Sequence, residues 1–203
     1  VLHEALVDLA AKGLVRINPR HGVFVNDYRL NGSVAMLESL LAYQHGQLDP
    51  AMLQSMLDMR ILLETETARL AAEQRTPEHL KALQVILALE EQTDCQDIAN
   101  LTRLDFDFHL QIALASGNLI YPLIVNSFKS VYTNLTGIFF QKFAGCPEIQ
   151  EVLAFHKALV EAIQAGKPIA AVQTMQQMLQ HGEMLLKRNP KYPVHPVNFD
   201  PRR

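Results

Sequence analysis

The stretch Asp105-Phe106-Asp107-Phe108-His109-Leu110-Gln111-Ile112-Ala113-Leu114-Ala115-Ser116-Gly117-Asn118 decides how most of this chain is read. Asp105 and His109 lie four residues apart, so on a helix they share one face. Leu104, Phe108, Ile112 and Ala115 continue a neighbouring apolar stripe at helical spacing. The acid and the imidazole therefore border a buried surface, where an unpaired charge is costly. Ser116-Gly117-Asn118 stops the helix, and Asn118 can cap the next one. A carboxylate and a histidine on one inward face can bind a metal, bind an anionic ligand, or pair with each other.

Outward from this helix the chain is nearly all helical. Asp49-Pro50 is a capping residue followed by a first-turn proline, and predicts a long helix to about Gln74. Thr76-Pro77 repeats the signal for a helix to about Gln92. Further helices are expected over Val34 to His45, Asp97 to Ala115, Leu119 to about Phe143, Pro147 to Ala165, and from Pro168 to about Lys187. No strand signal interrupts this run, which predicts an all-α bundle of about seven helices. The start of the chain differs. Val1 to Lys12 has helical spacing with Gly13 as its stop, and two short β-branched runs, Leu14 to Ile17 and Gly22 to Val25, flank the turn Asn18-Pro19-Arg20-His21. A helix followed by a hairpin with a basic tip is the second half of a winged helix-turn-helix. The expected organisation is residues 1–29 for this unit, 30–188 for the bundle and 189–203 for a proline-rich tail, extended or disordered. Because Val1 opens inside a helical pattern, the chain is expected to be a fragment lacking upstream residues.

Composition narrows the partners. Of 203 residues, 49% are hydrophobic and 19% charged, enough for one good core and a small second unit. The net charge of -3 excludes a simple polycation, so any nucleic-acid contact needs a local patch. Cys95 and Cys146 form no CxxC pair and suggest a reducing, cytoplasmic setting. No apolar run reaches the roughly 18 residues that would span a bilayer, so no membrane partner is expected.

Leu2 to Arg16, followed by Arg20-His21-Gly22-Val23-Phe24-Val25, resembles the end of the DNA-binding domain of the GntR family. The resemblance implies a recognition helix ending near Lys12, a wing, operator DNA as partner, and DNA contacts from His3, Arg16, Arg20, His21 and Gly22. His3 stands where that family usually has an arginine. A merely solvated hairpin edge would also carry Arg16, Arg20 and His21. Arg60-Ile61-Leu62-Leu63-Glu64, Asp105 with His109, Ala115-Ser116-Gly117-Asn118, and His156 with Gly166 resemble the FCD domain, the ligand-binding half of FadR-subfamily regulators. In metal-binding members an Asp and three His hold a divalent transition metal (Zn, Ni, Fe or Mn). The first three map on Asp105, His109 and His156. The last would fall on Met178, a poor ligand, with His181 one turn further as the substitute candidate.

A second branch rests on the same family. Residues 115–133, Phe155-His156-Lys157 and His181-Gly182-Glu183 are similar to subfamily members that bind fatty acyl-CoA without a metal. Met175, Met178, Met184, Phe128, Phe139 and Phe140 would suit an acyl chain, although core packing is the ordinary explanation of each one taken singly. Arg60, alone on an apolar helix, must find an anion: Glu64 one turn on, or the acid group of an effector. The effector-binding candidates are thus Arg60, Asn118 and Met178. The expected protein is a homodimeric transcriptional regulator answering to a small acidic effector, and not an enzyme. A metal-dependent enzyme and a vestigial helical dimerisation module are the alternatives.

Overall fold

The computed structural model describes residues 1–43, 46 and 48–187; the expected proline-rich tail and His45 lie outside them. The chain divides into two compact units, the first ending at Leu48 and the second beginning at Asp49. This division falls one helix later than the 29/30 boundary read from the sequence.

The first unit opens with α1 (Leu2–Ala11), β1 (Val15–Asn18) and β2 (Gly22–Val25). The strands pair antiparallel with Val15 opposite Val25 and Asn18 opposite Gly22. Gly13, at φ +75°, closes α1: its N–H bonds to Ala10 O, and that of Leu14 reaches back to Leu9 O. Such a reversal needs a left-handed residue. A Cβ here would also stand 1.7 Å from Asn31 O. Gly13→Ala is therefore expected to cost this unit more than about 2 kcal/mol, read as faster amide exchange in β1 and β2; unchanged exchange would contradict the packing. The wing tip is tight enough to hold Arg20 at φ 66°. The polar stretch 26–33, expected to be linker, contains one further helical turn, α2 (Tyr28–Asn31), because Asp27 caps it by accepting from Arg29 N at 3.0 Å. α3 (Ala35–Tyr43) follows.

The second unit contains α4 (Pro50–Gln74), α5 (Pro77–Gln92), α6 (Ile98–Ala115), α7 (Tyr121–Ser127), α8 (Lys129–Lys142), α9 (Pro147–Gln164) and α10 (Pro168–Lys187). The capping signals act as read. Asp49 accepts from Ala51 N and Met52 N, and Thr76 forms a reciprocal capping box with His79. The single helix expected from Leu119 to Phe143 is instead two. Asn118 accepts from Ile120 N and Tyr121 N, which delays the start, and the chain leaves helical geometry at Phe128 (φ −96°, ψ 7°). Ser127 Oγ donating to Ile124 O offers the backbone a competing partner at that point. α10 packs on α4 and α9, while α6 packs on α4, α5 and α8. One core cluster joins Phe108 and Ile112 to Leu159, Ile163, Met175 and Leu179. None of the described helices is long and apolar enough to cross a membrane.

Candidate functional site

Helix α6 presents Asp105 and His109 on its inner face, 5% and 4% exposed. Helix α9 brings His156, fully buried, toward them. One ligand atom from each of the three lies within 4.8 Å of the others, and His156 Nε2 is 3.7 Å from Asp105 Oδ1. Two atoms bound to one ion through bonds near 2.1 Å lie at most about 4.2 Å apart, so the group needs only slight closure to hold one. His156 Nε2 and Asp105 Oδ2 are buried without a hydrogen-bond partner, which is the condition an ion would relieve.

Each imidazole is backed by a carboxylate. His156 Nδ1 is 2.9 Å from Glu90 Oε1, and His109 Nδ1 meets Glu64 Oε2. This occupies Nδ1 of both rings and leaves Nε2 for the shared centre, the arrangement that orients histidine ligands in metal sites. Phe108 stacks on the His156 ring at 3.9 Å and 17°.

Glu64 is also the anion for Arg60, whose Nε donates to Oε1 at 2.7 Å, and it accepts from the Tyr132 hydroxyl. The Arg60 guanidinium lies 4.2 Å over the Tyr132 ring. Burial alone would raise the Glu64 pKa; the charge of Arg60, then of His109, outweighs it and holds this carboxyl far below its ordinary range. Burial would lower that of His156, but the carboxylates of Glu90, Asp105 and Glu64 together outweigh it and the pKa is raised.

Arg60, Asp105 and His109 line a cavity of about 60 Å³ that opens to solvent, with His156 behind them. Its walls are apolar and include Leu57, Leu135, Phe139, Phe140 and Met178. Of the two alternatives read for Arg60, the pairing with Glu64 is the one formed, and the side chain also lies in the cavity wall. Met178 lies in the wall, and of the other acyl-chain candidates Phe139 and Phe140 join it. Phe128 sits at the α7–α8 break, Met175 is in the core, and Met184 is largely exposed.

Two candidates lie elsewhere. Asn118 spends its side-chain oxygen on the backbone ahead of α7 and is not part of the cavity wall. His181 is not in the Asp105 group; three residues past Met178, it is turned to the flank of α10, where Nε2 lies 2.9 Å from Glu151 Oε2 and the ring touches Phe155. Glu90 was missed in the sequence. Its signal was register, since it continues the inner stripe of Leu83 and Leu87 on α5. On the first unit, His3, Arg16, Arg20, His21 and Gly22 are all exposed, and Arg16 reaches over Phe24, its cross-strand partner.

A helix and two-stranded wing, followed by a helical bundle closed around buried histidine and carboxylate side chains, is the architecture of a ligand-binding bundle joined to a winged-helix element. Residues 55–181 match the FCD domain, and the chain belongs to that family. It is 29% identical over 166 residues to the fatty acid metabolism regulator protein of Enterobacter sp. (strain 638), covering 81% of this chain and 65% of that protein. It is 28% identical over 181 residues to the HTH-type transcriptional regulator Mce2R of Mycobacterium tuberculosis, covering 88% and 72%. The chain thus spans slightly under two thirds of the first of these. The solved structure of Streptococcus agalactiae GntR shares the fold, with a TM-score of 0.56 and 22% identity over 89% of this chain and 78% of that one. These likenesses agree with the GntR and FadR-subfamily resemblance carried by the motifs.

Proposed function

We propose that the protein is a DNA-binding transcriptional regulator of the GntR/FadR type, controlled by a small carboxylic acid that enters the bundle. The observation that carries this reading is the convergence of Asp105, His109, His156 and Arg60 on one otherwise apolar cavity inside the matched FCD region. Asp105, His109 and His156 would hold a divalent transition metal, and the metal would supply a Lewis-acid anchor for the acid. Arg60 adds a fixed cation at the same end. The names of the relatives, all regulators, support a non-enzymatic, cytoplasmic protein. A metal-free variant of the site has its own support. With Met178 rather than histidine in the wall, the raised pKa of His156 favours an imidazolium between Glu90 and Asp105, and Arg60 alone would then hold the acid.

The wing would contact operator DNA through Arg20 and His21, with His3, Arg16 and Gly22 on the same unit. A two-fold dimer would place two such units on palindromic half-sites. Elemental analysis of the purified full-length protein, with gel shift of its own promoter fragment before and after chelation, tests both halves of the reading. Absence of any shift would count against the regulator. In the full-length protein, Arg20→Ala is expected to weaken operator binding and to reduce the salt-dependence slope by about one unit. An unchanged affinity and slope would remove the wing from the mechanism.

A further inference from the structure

We propose that Tyr132 is a positioning residue of the effector site: it clamps the Arg60 guanidinium so that an acid entering the cavity meets a cation already set, and it acts through Arg60 rather than on the acid. This rests on the effector reading above. Tyr132 is 1% exposed and sits on the first turn of α8, where its N–H donates to Phe128 O at 2.9 Å. Further along α8, Leu135, Thr136, Phe139 and Phe140 line the cavity, while Tyr132 stands outside its wall. Arg60 is in that wall.

The clamp bears on Arg60 in two ways. The Tyr132 ring lies under the guanidinium, whose ζ carbon is 4.2 Å from the ring centroid, well inside the reach of a cation–π contact. The Tyr132 hydroxyl donates to Glu64 Oε1, the same oxygen that takes the Nε proton of Arg60. The ring is held in turn by Phe106, edge to face at 6.1 Å and 81°. An unrestrained arginine gives up rotamer freedom when it meets an anion, and affinity falls accordingly; one held beforehand does not.

The same geometry separates this role from that of the metal-ligand group. His109 Nδ1 is met by the other oxygen of Glu64, Oε2. Tyr132 meets His109 through ring contact, at 6.3 Å between centroids and 64°. Loss of the Tyr132 side chain therefore frees the guanidinium while leaving the carboxylate that backs His109 in place. Phenylalanine at this position keeps the ring under Arg60, and Glu64 Oε1 keeps the Nε–H of Arg60 as donor.

The test is calorimetric titration of the full chain with acetate and hexanoate as probes, with and without one equivalent of zinc, alongside zinc affinity measured by chelator competition. In Tyr132→Leu, and in Tyr132→Met as a second ringless variant, acid affinity is expected to fall about tenfold, the scale of one desolvated cation–π contact. Zinc affinity is expected to stay at the wild-type value in both. Tyr132→Phe is expected to restore most of the acid affinity. A fall in zinc affinity that accompanies the loss of acid binding marks a general loosening of the bundle and overturns the positioning role. Wild-type acid affinity in the ringless variants, or as large a loss already in Tyr132→Phe, overturns it too and leaves the effector reading in place. Failure of wild type to bind either acid, with zinc or without, overturns the effector reading and this inference with it.

Discussion

Glu64→Ala is expected to destabilise the bundle by about 3–5 kcal/mol, measured by urea unfolding near neutral pH. Glu64 is 2% exposed and serves three groups at once: the Arg60 guanidinium, the His109 imidazole and the Tyr132 hydroxyl. Its removal leaves the buried Arg60 without its anion, and an uncompensated buried charge costs far more than the pair contributes. A double replacement, Arg60→Met with Glu64→Leu, should recover much of the loss, because it removes both charges together and fills similar volume. The pH dependence follows from the depressed pKa of Glu64. The stability it contributes is present above the ordinary carboxylate range and drains away as pH falls toward the folded value. Wild type should therefore lose more stability on acidification than Glu64→Ala. A loss under about 1 kcal/mol in the single variant, the range of an ordinary neutral hydrogen bond, would show that Arg60 finds another partner and that Glu64 is not the hub.

The parts of this arrangement that were legible in the sequence are those fixed by local rules. The starts of α4 and α5 were written in Asp49-Pro50 and Thr76-Pro77, and each of these side chains accepts from the backbone it was expected to cap. The pairing of Asp105 with His109 on one face follows from helical spacing, and the burial of His156 from its apolar neighbours. The break at Phe128 was not legible, because nothing in Asn126-Ser127-Phe128-Lys129 is a strong helix stop and the alternative backbone partners arise only once the turn forms. The position of Glu90 was hidden for a different reason. Its stripe on α5 ends in Glu90-Glu91, which reads as a solvated helix end, and only the approach of α9 shows that one acid of the two is buried. His181 failed in the opposite sense. Three residues on a helix look close to one face, yet the residual rotation was enough to turn its ring to Glu151 and Phe155 rather than to Asp105.

Zinc affinity is expected to fall about 10–100-fold in Glu90→Leu, the usual range for removing an outer-shell partner of a histidine ligand. Glu90 does not line the Arg60 cavity; its carboxylate meets His156 Nδ1 at 2.9 Å, on the side of the ring away from Asp105. Leucine keeps the site filled and apolar, and the stack of Phe108 on the imidazole still sets the ring plane. What is lost is the acceptor that keeps the proton on Nδ1 and Nε2 free to donate its lone pair. Glu90→Gln retains an oxygen acceptor and should lose less. The proton balance gives a second readout. Burial would lower the His156 pKa, but Glu90, with Asp105 and Glu64, raises it, so ion and proton compete for this ring and wild-type affinity is expected to climb with pH through the histidine range. Without the Glu90 charge that climb should begin at lower pH and be shallower near neutrality. Competition with a chromophoric chelator at several pH values measures both quantities. Equal affinities in wild type and Glu90→Leu would reduce Glu90 to a packing residue. A wild-type protein that takes up no zinc, nickel, iron or manganese would leave Asp105, His109 and His156 as an ion-paired floor beneath Arg60, and the acid would then be held by the guanidinium alone.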